Sequence, residues 1–112
     1  MKGKYLGEFE EMVILAIAVL FEDAYGVSIL EEIERRTHRS VSVGAVHSAL
    51  ERLEEKGLVK SHMGKATAER GGRRKRLFIV TVAGQKAIRE SREIRNSFWE
   101  AIPKGAFEGG LS

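Results

Sequence analysis

Side chains able to serve as nucleophiles, metal ligands or proton carriers are sparse in this sequence and badly spaced for catalysis. It contains no cysteine, which excludes thiolate metal sites, cysteine nucleophiles and disulfide scaffolds. The imidazoles are His38, His47 and His62, and none stands at a metal-type spacing from another. His47 and Glu51 lie one helical turn apart, but two ligands do not make a catalytic centre. Gly71-Gly72 lacks the preceding strand and following helix of a nucleotide-binding loop. The acidic side chains fall on faces predicted to meet solvent. No metal and no cofactor is therefore expected, and an enzyme is the weakest reading. The chemistry that does stand out is electrostatic. Residues 60–76 carry 7 basic side chains and 1 acidic one, whereas residues 1–59 carry 7 basic and 11 acidic. Positive charge so concentrated suits a phosphate-bearing partner, although a solvated basic loop has the same composition.

The elements that hold this cluster follow from hydrophobic spacing. A first helix is predicted over Glu8–Phe21, with Glu8, Glu10 and Glu11 at the positive end of its dipole. Its apolar residues cover both sides: Phe9, Met12, Val13, Ala16, Ile17 and Leu20 on one, Ile14, Leu15, Ala18 and Val19 on the other. Such a helix must be covered twice, and in so small a domain the second cover is expected to be another chain. A second helix spans Tyr25–Thr37, with Ile29, Leu30 and Ile33 inward and Glu31, Glu32, Glu34, Arg35 and Arg36 outward. Ser42 is placed to cap a third helix that runs to Lys56, with Val43, Val46, Leu50 and Leu53 inward. Gly57 is its expected left-handed stop. Leu58–Gly64 and Arg76–Thr81 read as the strands of a hairpin with a long basic tip. Thr81 then caps a last helix, Val82–Ala101.

Three helices, a hairpin and a further helix make the order of a winged helix-turn-helix, mainly α with a small β-hairpin and a C-terminal dimerisation helix. Residues 1–81 form the DNA-binding unit, 82–102 the dimerisation helix and 103–112 a flexible tail; residues 1–7 read as a loose arm. The major groove of double-stranded DNA admits one helix, and the second helix of the turn motif lies there with its N-terminal residues nearest the bases. Ser42, Gly44, Ala45 and Ser48 supply the small side chains that close approach needs, and His47 and Arg52 share that outer face. Arg39 stands in the turn, where it could clamp the backbone. Arg70, Arg73, Arg74, Lys75 and Arg76 would meet phosphates from the hairpin tip.

The ordered set Leu6-Gly7-Glu8-Phe9-Glu10, Ala24-Tyr25-Gly26, Ser42-Val43-Gly44-Ala45-Val46, Leu50 to Val59, Gly72-Arg73-Arg74-Lys75-Arg76 followed by Leu77 to Thr81, and Gly84 closely resembles the PadR family of bacterial transcriptional regulators. The resemblance covers about residues 6–99. It implies a homodimer, usually a repressor, in which the first and last helices pack on those of a second copy, and an operator that is an inverted repeat. The single short last helix resembles the smaller subgroup. Phe9, Ile14, Leu15, Ile94 and Phe98 are the expected dimer contacts. Some relatives bind flat aromatic compounds between subunits, which makes Trp99, Phe98 and Met12 candidate walls of an effector pocket. The family pattern usually has a tyrosine that touches the DNA backbone where this chain has His47.

The 112 residues, 43% hydrophobic and 31% charged, suit one globular domain. The longest apolar run, Met12–Phe21, is half of the ~20 residues that a membrane helix needs, so no membrane partner is expected. The lack of cysteine fits a cytoplasmic location. A competing reading keeps the same fold as a dimeric protein-interaction module without sequence-specific DNA binding.

Overall fold

The computed structural model describes residues 6–66 and 74–109. Among them the order is α1 (Glu8–Leu20), α2 (Gly26–Thr37), α3 (Val43–Glu55), β1 (Val59–Ala66), β2 (Arg74–Val80) and α4 (Val82–Ala101). A 3-10 turn, Phe21–Asp23, links α1 to α2. This is the winged-helix arrangement read from the sequence. The Gly71-Gly72 turn, Arg70 and Arg73 lie outside the described residues.

Each boundary has a local cause. Glu10 reaches back so that its carboxylate accepts from the Gly7 N–H at 3.2 Å, opening α1. α1 ends one residue earlier than its apolar run suggests, because Phe21 turns to φ 57. Ser28 Oγ accepts from the Tyr25 N–H at 2.9 Å, so Tyr25 precedes α2 instead of joining it. His38 closes α2 in the left-handed region (φ 58, ψ 30). The turn into α3 is then set by Glu34, whose carboxylate accepts from the Val41 N–H at 2.8 Å. Ser42 caps α3 as expected, its hydroxyl accepting from the Ala45 N–H at 3.0 Å. At the other end Gly57 takes φ 76, the Leu58 N–H reaches the Leu53 carbonyl at 2.9 Å, and the Gly57 N–H reaches that of Glu54 at 3.0 Å. Those bonds form a Schellman motif, whose hydrophobic partners Leu53 and Leu58 are both fully buried.

β1 and β2 pair antiparallel from Val59↔Val80 to Met63↔Arg76, with an irregularity before Ala66↔Arg74. Both strands extend further toward the tip than the apolar pattern suggests. The hairpin is tied to the helices by the Phe78 N–H donating to the Ala24 carbonyl at 2.9 Å. The core gathers Val13, Ile14 and Ile17 of α1, Ile29 of α2, Leu53 of α3 and Phe78 of β2. Leu6 is buried in it as well, so the arm is not loose at that residue.

Two expectations about facing are corrected. Ile14 is fully buried in this chain's own core and cannot be a dimer contact. On a helix apolar all round, periodicity does not say which side its own chain covers. Val43 is 59% exposed, although it begins the 43–46–50–53 stripe. The core covers α3 only from Val46 onward.

α4 starts against the hairpin and then leaves the body. Thr81 Oγ1 accepts from the Gly84 N–H at 3.0 Å and donates to the Gly57 carbonyl at 2.7 Å. Among the described residues Gly84 is the one buried residue of α4. The radius of gyration is 17.0 Å, against about 13 Å for a compact domain of 100 residues; the extent of 59 × 31 × 21 Å shows the same elongation. A Cβ at Gly84 would overlap the Leu58 carbonyl oxygen and come within 2.8 Å of Val80 Cγ1. Gly84→Ala is therefore expected to lower stability by about 1–3 kcal/mol, as overpacking does. A thermal melt that coincides with that of the parent chain would refute this.

Candidate nucleic-acid interface

The outer face of α3 changes character along its length. Its first two turns expose Val43, Gly44, Ala45, His47 and Ser48. No atom lies within 4 Å of where a Cβ on Gly44 would be, so the protomer's own packing does not require glycine there. A helical glycine costs about 1 kcal/mol relative to alanine, and what the sequence gains here is a low surface. The later turns carry Glu51, Glu54 and Glu55. Glu54 is engaged, accepting from Arg76 Nη2 at 3.1 Å and from Ser61 Oγ at 2.8 Å.

The cations read as phosphate ligands divide into two groups. Arg52 Nε donates to Glu10 Oε2 at 2.7 Å, beside Lys56, which is not among those cations and whose Nζ donates to Glu10 Oε1 at 2.7 Å. Lys75 Nζ sits 4.2 Å from the centre of the Tyr25 ring. Arg76 spans Ser61 and Glu54, its Nε donating to Ser61 Oγ at 3.0 Å. These side chains hold the helices and the hairpin base together. Arg74 is exposed, and among the described residues its Nε donates to the Gly64 carbonyl at 2.9 Å. Arg39 is exposed in the turn and meets Met12 Sδ at 3.4 Å. His47 lies beside the start of α2, with Nε2 3.9 Å from where a Gly26 Cβ would stand. α3, the start of α2 and β2 together border a hollow of about 550 Å³ that includes Val27, Val43 and His47.

Two carboxylates assigned to solvent from the sequence are buried instead. Glu10 is 6% exposed, and so is Glu32. Burial pushes the Glu10 carboxyl up, but hydrogen bonds from Lys56, Arg52 and the Gly7 N–H outweigh it and hold the group below the ordinary carboxylate range. Hydrogen bonds from Arg36 and Arg35 lower Glu32 likewise. The Glu32 pairs were legible as i,i+3 and i,i+4 contacts. Nothing in the local sequence pointed to the Glu10 pairs.

The residues expected at a subunit seam lie mostly in the open. Leu15, Ile94 and Phe98 are exposed and Phe9 is half-buried against the core. Trp99 is 69% exposed near the end of α4. Within one protomer the proposed effector walls do not close on one another. Met12 lines a hollow of about 340 Å³ between α1 and α2, while Phe98 and Trp99 project from α4.

The sequence matches the model of the Transcriptional regulator PadR-like family over residues 14–90. The chain belongs to that family. Solved PadR-type structures share its fold. One is a PadR family transcription regulator from hypervirulent Clostridium difficile R20291, 20% identical, with TM-score 0.68 over 84% of this chain and 94% of that one. Another is a PadR-like transcriptional regulator from Bacillus cereus strain ATCC 14579, 18% identical, with TM-score 0.69 over 84% and 86%. A transcriptional regulator from Clostridium thermocellum is 24% identical, with TM-score 0.66 over 84% and 86%. No curated protein sequence matches the chain. The PadR-like family consists of transcriptional regulators, so DNA binding and regulation are this chain's family-level activity. Among the described residues no helix is long and apolar enough to cross a membrane.

The Glu10 pairing has a measurable sign. A carboxyl whose folded pKa lies below its unfolded one stabilises the fold above the unfolded value, and that contribution is lost as pH falls through the folded value. Glu10→Gln is expected to be less stable than the parent at pH 7, with the gap narrowing as pH falls below ~4. Denaturant midpoints at both pH values test this, and a gap that stays constant would exclude it.

Proposed function

We propose that this PadR-like protein is a homodimeric repressor that binds an inverted-repeat operator in double-stranded DNA. The observation that carries the reading is the low, exposed surface of the first half of α3. There Gly44 and Ala45 leave the backbone open, and Ser48 and His47 offer hydrogen-bonding groups beside it. α3 enters the major groove by that end, and its acidic end stays away from phosphate. Ser42, His47, Arg39 and Arg74 contact the backbone, and Arg70 and Arg73, which fall between the two strands in the sequence, are assigned to it as well. Arg52, Lys75 and Arg76 keep the reading surface in shape.

The second copy is assigned to the apolar side chains left uncovered. Leu15, Val19 and Phe21 on and just beyond α1, and Ile94, Phe98 and Trp99 on α4, are all exposed in the single chain. Their burial against a twin satisfies the hydrophobic effect and makes residues 82–102 the dimerisation helix, with residues 1–81 the DNA-binding unit and 103–112 a tail. A flat aromatic effector held by Trp99 and Phe98 at that seam would relieve repression, provided it favours one separation of the two α3 helices over another. The engagement of Arg52, Lys75 and Arg76 within the protein favours a second reading, a dimeric protein-interaction module.

Salt separates the two. An operator-binding repressor loses affinity steeply with added salt and prefers its operator to random DNA by at least ~10³. Arg73→Ala and Arg74→Ala are each expected to weaken binding to all sequences and to reduce the salt slope by about 1. An unchanged slope counts against the hairpin as a phosphate grip, and weak binding without preference selects the module. Independently, Ile94→Glu with Phe98→Glu is expected to sediment as a monomer and to lose operator affinity. If the doubly substituted chain still sediments as a dimer, the seam lies elsewhere.

A further inference from the structure

We infer that Val43 is a specificity-determining residue that reads the C5-methyl group of a thymine in the major groove. This rests on the operator-binding reading above and goes beyond it to a particular atom of the partner.

Val43 is the first residue of α3 and is 59% exposed. Val27, in the first turn of α2, is 52% exposed and borders the same hollow. Each valine is more than half exposed, so burial within the protomer accounts for only part of its apolar character. At an exposed helix start a carboxylate would be favoured by the dipole, and a β-branched side chain is a poorer helix former than alanine. The neighbours sharpen the point. Gly44 has no side chain and Ala45 only a methyl, so the isopropyl group of Val43 is the bulkiest apolar group exposed on the first turn of α3. The hydroxyl of Ser42 beside it accepts from the Ala45 N–H, which leaves its O–H to donate to a phosphate.

A tip of this kind distinguishes base pairs by one chemistry. In the major groove guanine, cytosine and adenine present only hydrogen-bonding groups, and thymine adds a methyl. An isopropyl group pressed on a polar edge would strip its water without replacing the hydrogen bonds, whereas against the thymine methyl it buries apolar surface on both sides. Val43 thus favours thymine and disfavours the alternatives at one position of each half-site.

The test uses the full-length protein and a duplex selected from a random-sequence pool for highest affinity. Its thymines are replaced one at a time by uracil, which keeps the base pair and removes the methyl. At one position per half-site the parent protein is expected to bind the uracil duplex about fourfold more weakly, the worth of one buried carbon. Val43→Ala is expected to bind the two duplexes equally, while keeping its far-UV circular dichroism and its salt slope. The inference is overturned if the parent protein tolerates uracil at every position, or if the loss persists in Val43→Ala. A selection that enriches no sequence would remove the operator reading itself, and this inference with it.

Discussion

Glu10 is separated in the chain by 42 residues from Arg52 and by 46 from Lys56, and its buried carboxylate is where those two cations meet. This contact fixes the roll of α3 against α1. α1 and α3 are both packed by apolar side chains, which give adhesion but little direction. A charge-assisted pair at each carboxylate oxygen supplies the direction. The next residue, Glu11, accepts from Ser91 Oγ at 2.9 Å and from Arg95 Nη2 at 3.0 Å on α4. Two consecutive side chains on α1 therefore orient both α3 and the helix that projects from the body.

The parts of this structure legible in the sequence are those with local causes. Ser42 and Thr81 cap the helices that follow them, and Gly57 ends α3 in the left-handed region, because each signal acts within a few residues of itself. The winged-helix order and the extent of α4 follow from the same signals, and the family membership from their sequence in the chain. What stayed hidden depends on tertiary contact. A stripe spaced for one helical face counts Val43 as core, yet whether a core exists opposite it depends on how far α1 and α2 reach. Ile14 and Leu15 are adjacent and equally apolar, and only the packed chain separates the one it buries from the one it leaves exposed. Glu10 resembles any first-turn glutamate until α3 folds back onto it.

The hairpin shows that a cluster of positive charge is not a uniform resource. Read along the sequence, Arg74, Lys75 and Arg76 are equivalent. Alternation in β2 turns Lys75 toward Tyr25 and away from its neighbours, and the irregular pairing before Ala66↔Arg74 separates Arg76, which reaches Glu54 and Ser61, from Arg74, which reaches the Gly64 carbonyl. Engaged within the fold, the first two brace the hairpin base, Arg76 through a carboxylate and Lys75 through a ring face. The charge count of such a segment thus overstates what it can offer a phosphate.

The seat of Gly84 bears on how the molecule responds to its surroundings. Beyond its first turns α4 is held by the Glu11–Arg95 ion pair, but at its root it is held by neutral contacts, the close approach of Gly84 to the Leu58 carbonyl and the hydrogen bonds at Thr81. Dissolved ions weaken attraction between charges and leave such contacts untouched. The foot of α4 is therefore anchored by contacts that salt does not screen, while its outer length keeps an ionic tether.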